Sequence, residues 1–333
     1  MSSVLGFTRT VNPLANRLQS FTSFDEASAA VLAFLRTQIP FDLWMITRLQ
    51  EPYAVVLQAE DHGYGVGIGT TWRWTDSLCS HMVVGAGPRV APNCAAVPAY
   101  ATAPQQNSLP VCAYLGVPII LQNGELFGTL CAFNRTALNE NLWNQLPLVE
   151  LQARLLGAML HAELKTSELS RRAERANTDA STDGLTGLIN RRAWDRVLIN
   201  EETRCQRYGH SAFVISVDLD GLKSVNDTQG HAAGDKLIKR AAKALRAAAR
   251  EQDVVARLGG DEFALLAIEC DRAGGQALLK RISDALARER IQASIGHAMR
   301  LPLFGLQAAW EESDHAMYEC KKQHKAAVAQ VLA

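Results

Sequence analysis

The chain has no excess of charge of either sign. Its 34 lysines and arginines balance 34 aspartates and glutamates, for a formal net charge of zero. Composition therefore gives no field for holding a nucleic acid or another polyanion. No apolar run reaches the roughly 20 residues a helix needs to cross a bilayer. The opening stretch MSSVLGFTRTVNPLANRL lacks a basic start, an apolar run and a small-residue cleavage site in that order. A cytoplasmic chain with neither nucleic acid nor membrane as partner is expected. Cysteine is present without a pairing pattern: Cys79, Cys94, Cys112, Cys131, Cys205, Cys270 and Cys320 are odd in number and include no Cys-x-x-Cys. That favours reduced thiols over a disulfide framework or a zinc site.

The 333 residues, 48% of them apolar, are too many for one ordinary domain and suit two. After an N-terminal segment (1–23), a first α+β module is expected over 24–147. Ser23 and Glu26 read as a capping box, and the helix behind them is expected to bury Ala27, Ala30, Val31 and Phe34. LWMITRL and YAVVLQA read as strands, and a loop-rich stretch from about 60 to 110 carries Trp72, Trp74 and Cys79. Asn123-Gly124 between two apolar runs signals a hairpin. Over 148–178, Leu148, Leu155, Ala162, Leu169 and Ala176 recur every seven residues, with Leu151 and Ala158 beginning a companion seam that Lys165 and Arg172 interrupt. A long helix, either forming a partial parallel coiled coil or packed on its own domains, is expected there.

From 179 to 333, strands and helices alternate around a central hairpin, as in a ferredoxin-like, palm-type β-α-β-β-α-β domain. AFVISVDLDG is a buried strand that ends in Asp218 and Asp220, and RLGGDEFALL is a hairpin with Asp261 and Glu262 at its tip. In such a sheet the two places lie on neighbouring strands. Carboxylates crowded at one edge repel unless a hard cation neutralises them, and oxygen ligands of this kind suit Mg²⁺. The glycines before Asp261 leave room for a phosphate beside the backbone. Metal-assisted phosphoryl transfer on a nucleotide is the chemistry suggested.

Four stretches, DGLTGLINRR, DLDGLKSVNDTQGHAAGD, RLGGDEF and DHAMYECKK, resemble in order and spacing the motifs of the GGDEF domain. The resemblance implies a diguanylate cyclase that condenses two GTP into cyclic di-GMP and releases two pyrophosphates. It implies that Asp218, the Leu219 carbonyl and Asp261 hold Mg²⁺ or Mn²⁺, and that Asp261 and Glu262 serve catalysis. Asn226 and Asp235 would read guanine, and Lys223, Lys321 and Lys325 would neutralise phosphates. Arg250-x-x-Asp253 matches the product-inhibition site of such domains, where cyclic di-GMP would bind as an allosteric inhibitor. The sequence departs from the pattern at Gly221-Leu222 and in the final Gln323-His324-Lys325. For Asp235, an ordinary helix cap is the competing reading. A catalytically silent module that acts as a GTP or cyclic di-GMP receptor is the alternative function.

DSLCSHMVVGAGPRVAP and AYLGVPIILQNGELFGTLCAFN resemble a GAF domain, a small-ligand sensor fold. Trp72, Trp74, Cys79 and His81 would then line a sensor pocket, or fill a core instead, and the ligand is unreadable. Since each GGDEF domain would hold one GTP, the resemblance also implies a homodimer joined through the first module and the long helix.

Overall fold

The computed structural model describes residues 20–176 and 182–332, so most of segment 1–23 and the junction at 177–181 lie outside the described residues. The first domain runs α1 (Phe24–Gln38), β1 (Leu43–Gln50), β2 (Tyr53–Asp61), β3 (Thr71–Arg73), α2 (Leu78–Val83), β4 (Val90–Ala91), α3 (Pro98–Ala101), β5 (Ala113–Ile120) and β6 (Leu126–Asn134). Its antiparallel sheet has the order β3-β2-β1-β6-β5-β4. The β5–β6 hairpin turns at Asn123-Gly124, where Gly124 takes φ +84°, a conformation that glycine adopts without strain. Both faces of the sheet are covered. Trp44, Ile46, Leu115 and Leu130 face α1 and the long helix, whereas Met45, Tyr114, Cys131 and Phe133 face α2. This double burial explains why LWMI reads as an unbroken apolar run rather than an alternating one.

α1 is rotated from the expected setting. It buries Phe24, Ala27, Ser28, Leu32 and Leu35, and leaves Phe34 exposed. Only half of the capping box forms. Ser23 Oγ accepts from Glu26 N at 3.2 Å, but the Glu26 carboxylate turns to the Thr22 N–H and hydroxyl instead of returning to Ser23.

α4 (Leu146–Ala176) is the long helix. It seats Val149, Ala153, Leu156 and Leu160 on the sheet. Gly157 permits the close approach, because a side-chain carbon there would lie 2.7 Å from the Ile120 carbonyl oxygen. Of the heptad residues, Leu148 packs against this core, while Leu155 and Leu169 stand in solvent at 58% and 56% exposure. Leu151 and Ala158 of the companion seam and Ala162 are exposed as well, and the side chain of Ala176 lies outside the described residues. The repeat visible in sequence is therefore mostly the outward face.

The second domain runs α5 (Arg191–Tyr208), β7 (Ala212–Leu219), α6 (Leu222–Gln229), α7 (His231–Ala248), β8 (Val254–Gly259), β9 (Glu262–Ile268), α8 (Arg272–Arg288), β10 (Ala293–Met299) and α9 (Gly305–Leu332). Its sheet order, β10-β7-β9-β8, all antiparallel, is the ferredoxin-like arrangement. β7 is central and buried along its whole length. α9 lies so close to β10 that a side-chain carbon at Gly296 would sit 2.0 Å from the Ser313 carbonyl oxygen. Among the described residues, no helix is long and apolar enough to cross a membrane.

The domains meet at the end of α5. Tyr208 joins the apolar cluster of the first domain, and its hydroxyl donates to Glu163 of α4 at 3.0 Å. Arg171 of α4 reaches Glu201 at 3.1 Å and Glu269 at 2.8 Å. Arg204 adds a second bond to Glu201 at 2.5 Å. His210 is buried beside them, and burial above all pushes its pKa down to about 3.

Candidate functional site

The far end of β7 gathers the acids. Asp218 pairs in register with Glu262 on β9, and Leu219 N donates to the Asp261 carbonyl at 3.1 Å, so both acidic motifs occupy one edge as expected. Asp218 is only 3% exposed. Its Oδ2 accepts from Lys321 Nζ on α9 at 2.6 Å, whereas its Oδ1 is buried without a partner. Burial first, then the neighbouring Asp261 and Asp220, raise the Asp218 pKa, with Lys321 opposing. Glu262 is raised as well, by burial and then by Asp218 and Asp261. A buried carboxylate oxygen with no donor, among acids that hinder one another's ionisation, is the environment a hard cation relieves. Among the described residues no group of three or more His, Cys, Asp or Glu side chains forms a ready metal cage. Two carboxylates with a backbone carbonyl still suit Mg²⁺, which takes the rest of its shell from water and phosphate.

The turn before Asp261 holds Gly259 at φ +156° and Gly260 at φ +49°, and a side-chain carbon at either would meet nothing within 4 Å. The space beside the backbone is therefore open. Two residues from motifs with no assigned role fasten this turn. Arg257 donates to the Gly260 carbonyl at 3.1 and 2.9 Å and to both carboxylate oxygens of Asp183 at 3.1 Å. Opposite charges in two separate motifs were the available signal for this bridge. Asp220 does not join Asp218. It accepts from Ser294 Oγ at 2.9 Å and pairs with His324 at 2.9 Å, so His324, a departure from the family pattern, anchors α9 to the site strand.

Asn226 packs against Gly234, the residue before Asp235. A side-chain carbon at Gly234 would fall 1.9 Å from Asn226 Oδ1, so only glycine lets the Asn226 amide lie against the turn of α7 that carries Asp235. The helix is capped by Gly230, and exposed Asp235 stands one turn inside it, which removes the helix-cap reading. Lys223 is exposed on α6. Lys325 follows Lys321 on α9, with its side chain outside the described residues.

Arg250 and Asp253 lie at the opposite end of β8 from the glycine turn. Asp253, 4% exposed, accepts from Arg250 N at 2.8 Å through Oδ2 and leaves Oδ1 buried without a partner. The Arg250 residue is exposed. Arg246 fastens the loop by donating to the carbonyls of Arg250 and Asp253 at 2.7 and 2.8 Å. In the first domain, Trp72, Trp74 and Cys79 share one apolar cluster, and Cys79 Sγ accepts from Tyr114 Oη at 3.5 Å. His81 is half-buried on α2.

A ferredoxin-like sheet with acids at one edge, a lysine on the facing helix and an open glycine turn defines a palm-type domain. The family model described as "Diguanylate cyclase, GGDEF domain" matches residues 180–327, and that of the GAF domain matches 9–159. The chain therefore carries a GGDEF domain with a GAF domain ahead of it. It is 31% identical over 207 residues to the probable diguanylate cyclase DgcC of Escherichia coli K12, covering 60% of this chain and 55% of that protein. It is 29% identical over 184 residues to diguanylate cyclase DgcP of the same organism, covering 55% and 53%. The chain thus spans about half the length of these curated relatives. The solved GGDEF domain of DgcB from Caulobacter crescentus, in complex with c-di-GMP, is 30% identical over 44% of this chain and 92% of that one, with a TM-score of 0.41.

Proposed function

We propose that this protein is a GAF-regulated diguanylate cyclase that condenses two GTP into cyclic di-GMP and two pyrophosphates. The observation that carries the reading is the buried, partnerless Oδ1 of Asp218 at an edge shared with Asp261 and Glu262. Asp218, Asp261 and the Leu219 carbonyl would hold Mg²⁺ or Mn²⁺, which neutralises charge on the reacting phosphate. The names of the curated relatives support the same reaction.

The residues divide the task by position. Asp235 accepts from the paired N–H donors of guanine, with Asn226 beside it; adenine lacks that donor pair, so the site favours GTP. Lys321 gives up Asp218 for a phosphate oxygen, and Lys223 and Lys325 add positive charge. The open turn at Gly259 and Gly260 admits the phosphates against the backbone. The 3′-oxygen of one GTP attacks the α-phosphorus of the other. As that P–O bond forms, the bond to pyrophosphate breaks and the hydroxyl proton passes toward Glu262.

Two such domains must face each other, so the active species is a homodimer whose rate follows how often the halves meet in register. The acidic edge lies at the opposite end of β7 from the GAF contact, leaving it open to a second copy. The outward stripe of α4, Leu151, Leu155 and Leu169, offers that copy an apolar seam. Arg250 and Asp253 form the product-inhibition site, with the free Oδ1 of Asp253 as acceptor for guanine. The GAF signal acts through α4.

The test is incubation with Mg²⁺ and GTP, or ATP, and identification of products by mass spectrometry. Cyclic di-GMP from the parent and none from Asp261→Ala or Asp218→Asn supports the reading. Tight cyclic di-GMP binding with no product, even from Arg250→Ala stripped of nucleotide, refutes it in favour of a receptor.

A further inference from the structure

The GAF domain, α4 and the GGDEF domain together line a half-open cavity of about 640 Å³ that the proposed reaction does not use. That is ample for a small metabolite. Its walls bring Arg48 from β1, His161 and Lys165 from α4, and His210 and Glu269 from the GGDEF side.

The charges lining it cancel by count but not by pairing. Each carboxylate there is already engaged. Glu168 holds Arg172, Glu269 holds Arg171, Glu125 accepts from Asn123, and Glu251 has a partner of its own. Three basic side chains are not engaged in this way. Arg48 lies over the Phe127 ring, 4.5 Å from its centroid, and its Nε is buried without a hydrogen-bond partner. Glu269 and Glu125 attract it only from a distance. His161 and Lys165, one turn apart on α4, likewise have no hydrogen bond among the described residues. A guanidinium held out of water with an unused donor is a group that a bound oxyanion satisfies.

We propose that this cavity binds a small molecule bearing an oxyanion, phosphate or carboxylate, with Arg48, His161 and Lys165 as its donors. Because the walls come from both domains, the complete site exists only while they are docked. The ligand therefore stabilises that arrangement by its differential affinity. Any resulting change in cyclase rate rests on the function proposed above; the binding itself does not.

Calorimetric titration of the full chain with pyrophosphate, inorganic phosphate and succinate, without divalent metal, reads the binding directly and separates phosphate from carboxylate ligands. At least one probe is expected to bind at submillimolar concentration. Lys165→Ala, a change at an exposed position, and Arg48→Met should each weaken it by about tenfold or more, and Lys321→Ala in the catalytic edge should not. Failure of all three probes to bind up to about 10 mM overturns the proposal. So does binding that Lys321→Ala abolishes and Lys165→Ala leaves intact. A chain that binds a probe at Lys165 yet makes no cyclic dinucleotide keeps this site and loses the cyclase.

Discussion

Replacing Arg171 by leucine tests how firmly the connecting helix holds the GGDEF domain. Arg171 is 10% exposed and meets Glu201, itself 5% exposed, at 3.1 Å. A charge-assisted hydrogen bond of this kind contributes about 1.5–3 kcal/mol. Its second contact, to Glu269 at 2.8 Å, reaches a side chain that is 45% exposed, so solvent screening holds that contribution below about 1 kcal/mol. The full loss of about 3–5 kcal/mol for a broken buried pair does not apply, because Arg204 still holds Glu201 at 2.5 Å. The variant should therefore lose about 2–3 kcal/mol, less than that full loss, read by urea unfolding of the full chain. The double variant Arg171→Leu with Glu201→Gln should lose less than the sum of the singles, since the pair is coupled. A loss under about 0.5 kcal/mol, or strict additivity, would refute the clamp.

Three further outcomes follow from particular contacts. His210 takes up no proton until about pH 3 in the folded chain, against 6.5 for the free group. Between those values the unfolded chain binds the extra proton, so stability is complete above pH 6.5 and falls on acidification, by up to about 1.4 kcal/mol per pH unit. Melting curves from pH 7 to 5 should show this slope flattened in His210→Gln, and equal slopes would contradict it. Lys321→Ala removes the proposed phosphate contact and also frees Asp218 Oδ2. Nucleotide-free chain should then bind Mn²⁺ more tightly while the GTP KM rises about tenfold, measured by metal titration and steady-state kinetics. Gly296→Ala would thrust a carbon to 2.0 Å from the Ser313 carbonyl oxygen and 2.1 Å from Met317 N. Forcing α9 off β10 should cost about 3 kcal/mol and lower activity with it; an unfolding midpoint equal to the parent's would count against that packing.

What could be read in advance was what the chain encodes locally. Asn123-Gly124 marked a hairpin because few residue pairs fit such a turn. Asp218 and Asp261 could be placed together because a buried strand and a glycine hairpin in a ferredoxin-like order have few ways to pair. The face of α1 was misjudged because period alone does not say which side of a mostly apolar helix meets the sheet; Phe34 fits the period and stands in solvent. On α4 the seven-residue repeat drew attention to leucines that face outward, while Val149, Ala153, Leu156 and Leu160 took the sheet. The bridge from Arg257 to Asp183 and the cavity at Arg48 join residues far apart in the chain, with no local pattern to announce them.

Tyr208 carries a practical consequence. Its ring is 3% exposed because the neighbouring domain's apolar cluster receives it. A GGDEF fragment cut at the end of α4 would present that ring to water, along with the carboxylate of Glu201 stripped of Arg171. Joining a different N-terminal domain to this GGDEF domain therefore means transplanting a socket for one tyrosine as well as matching the phase of a helix. A splice point chosen from domain boundaries alone would pass between the tyrosine and its socket.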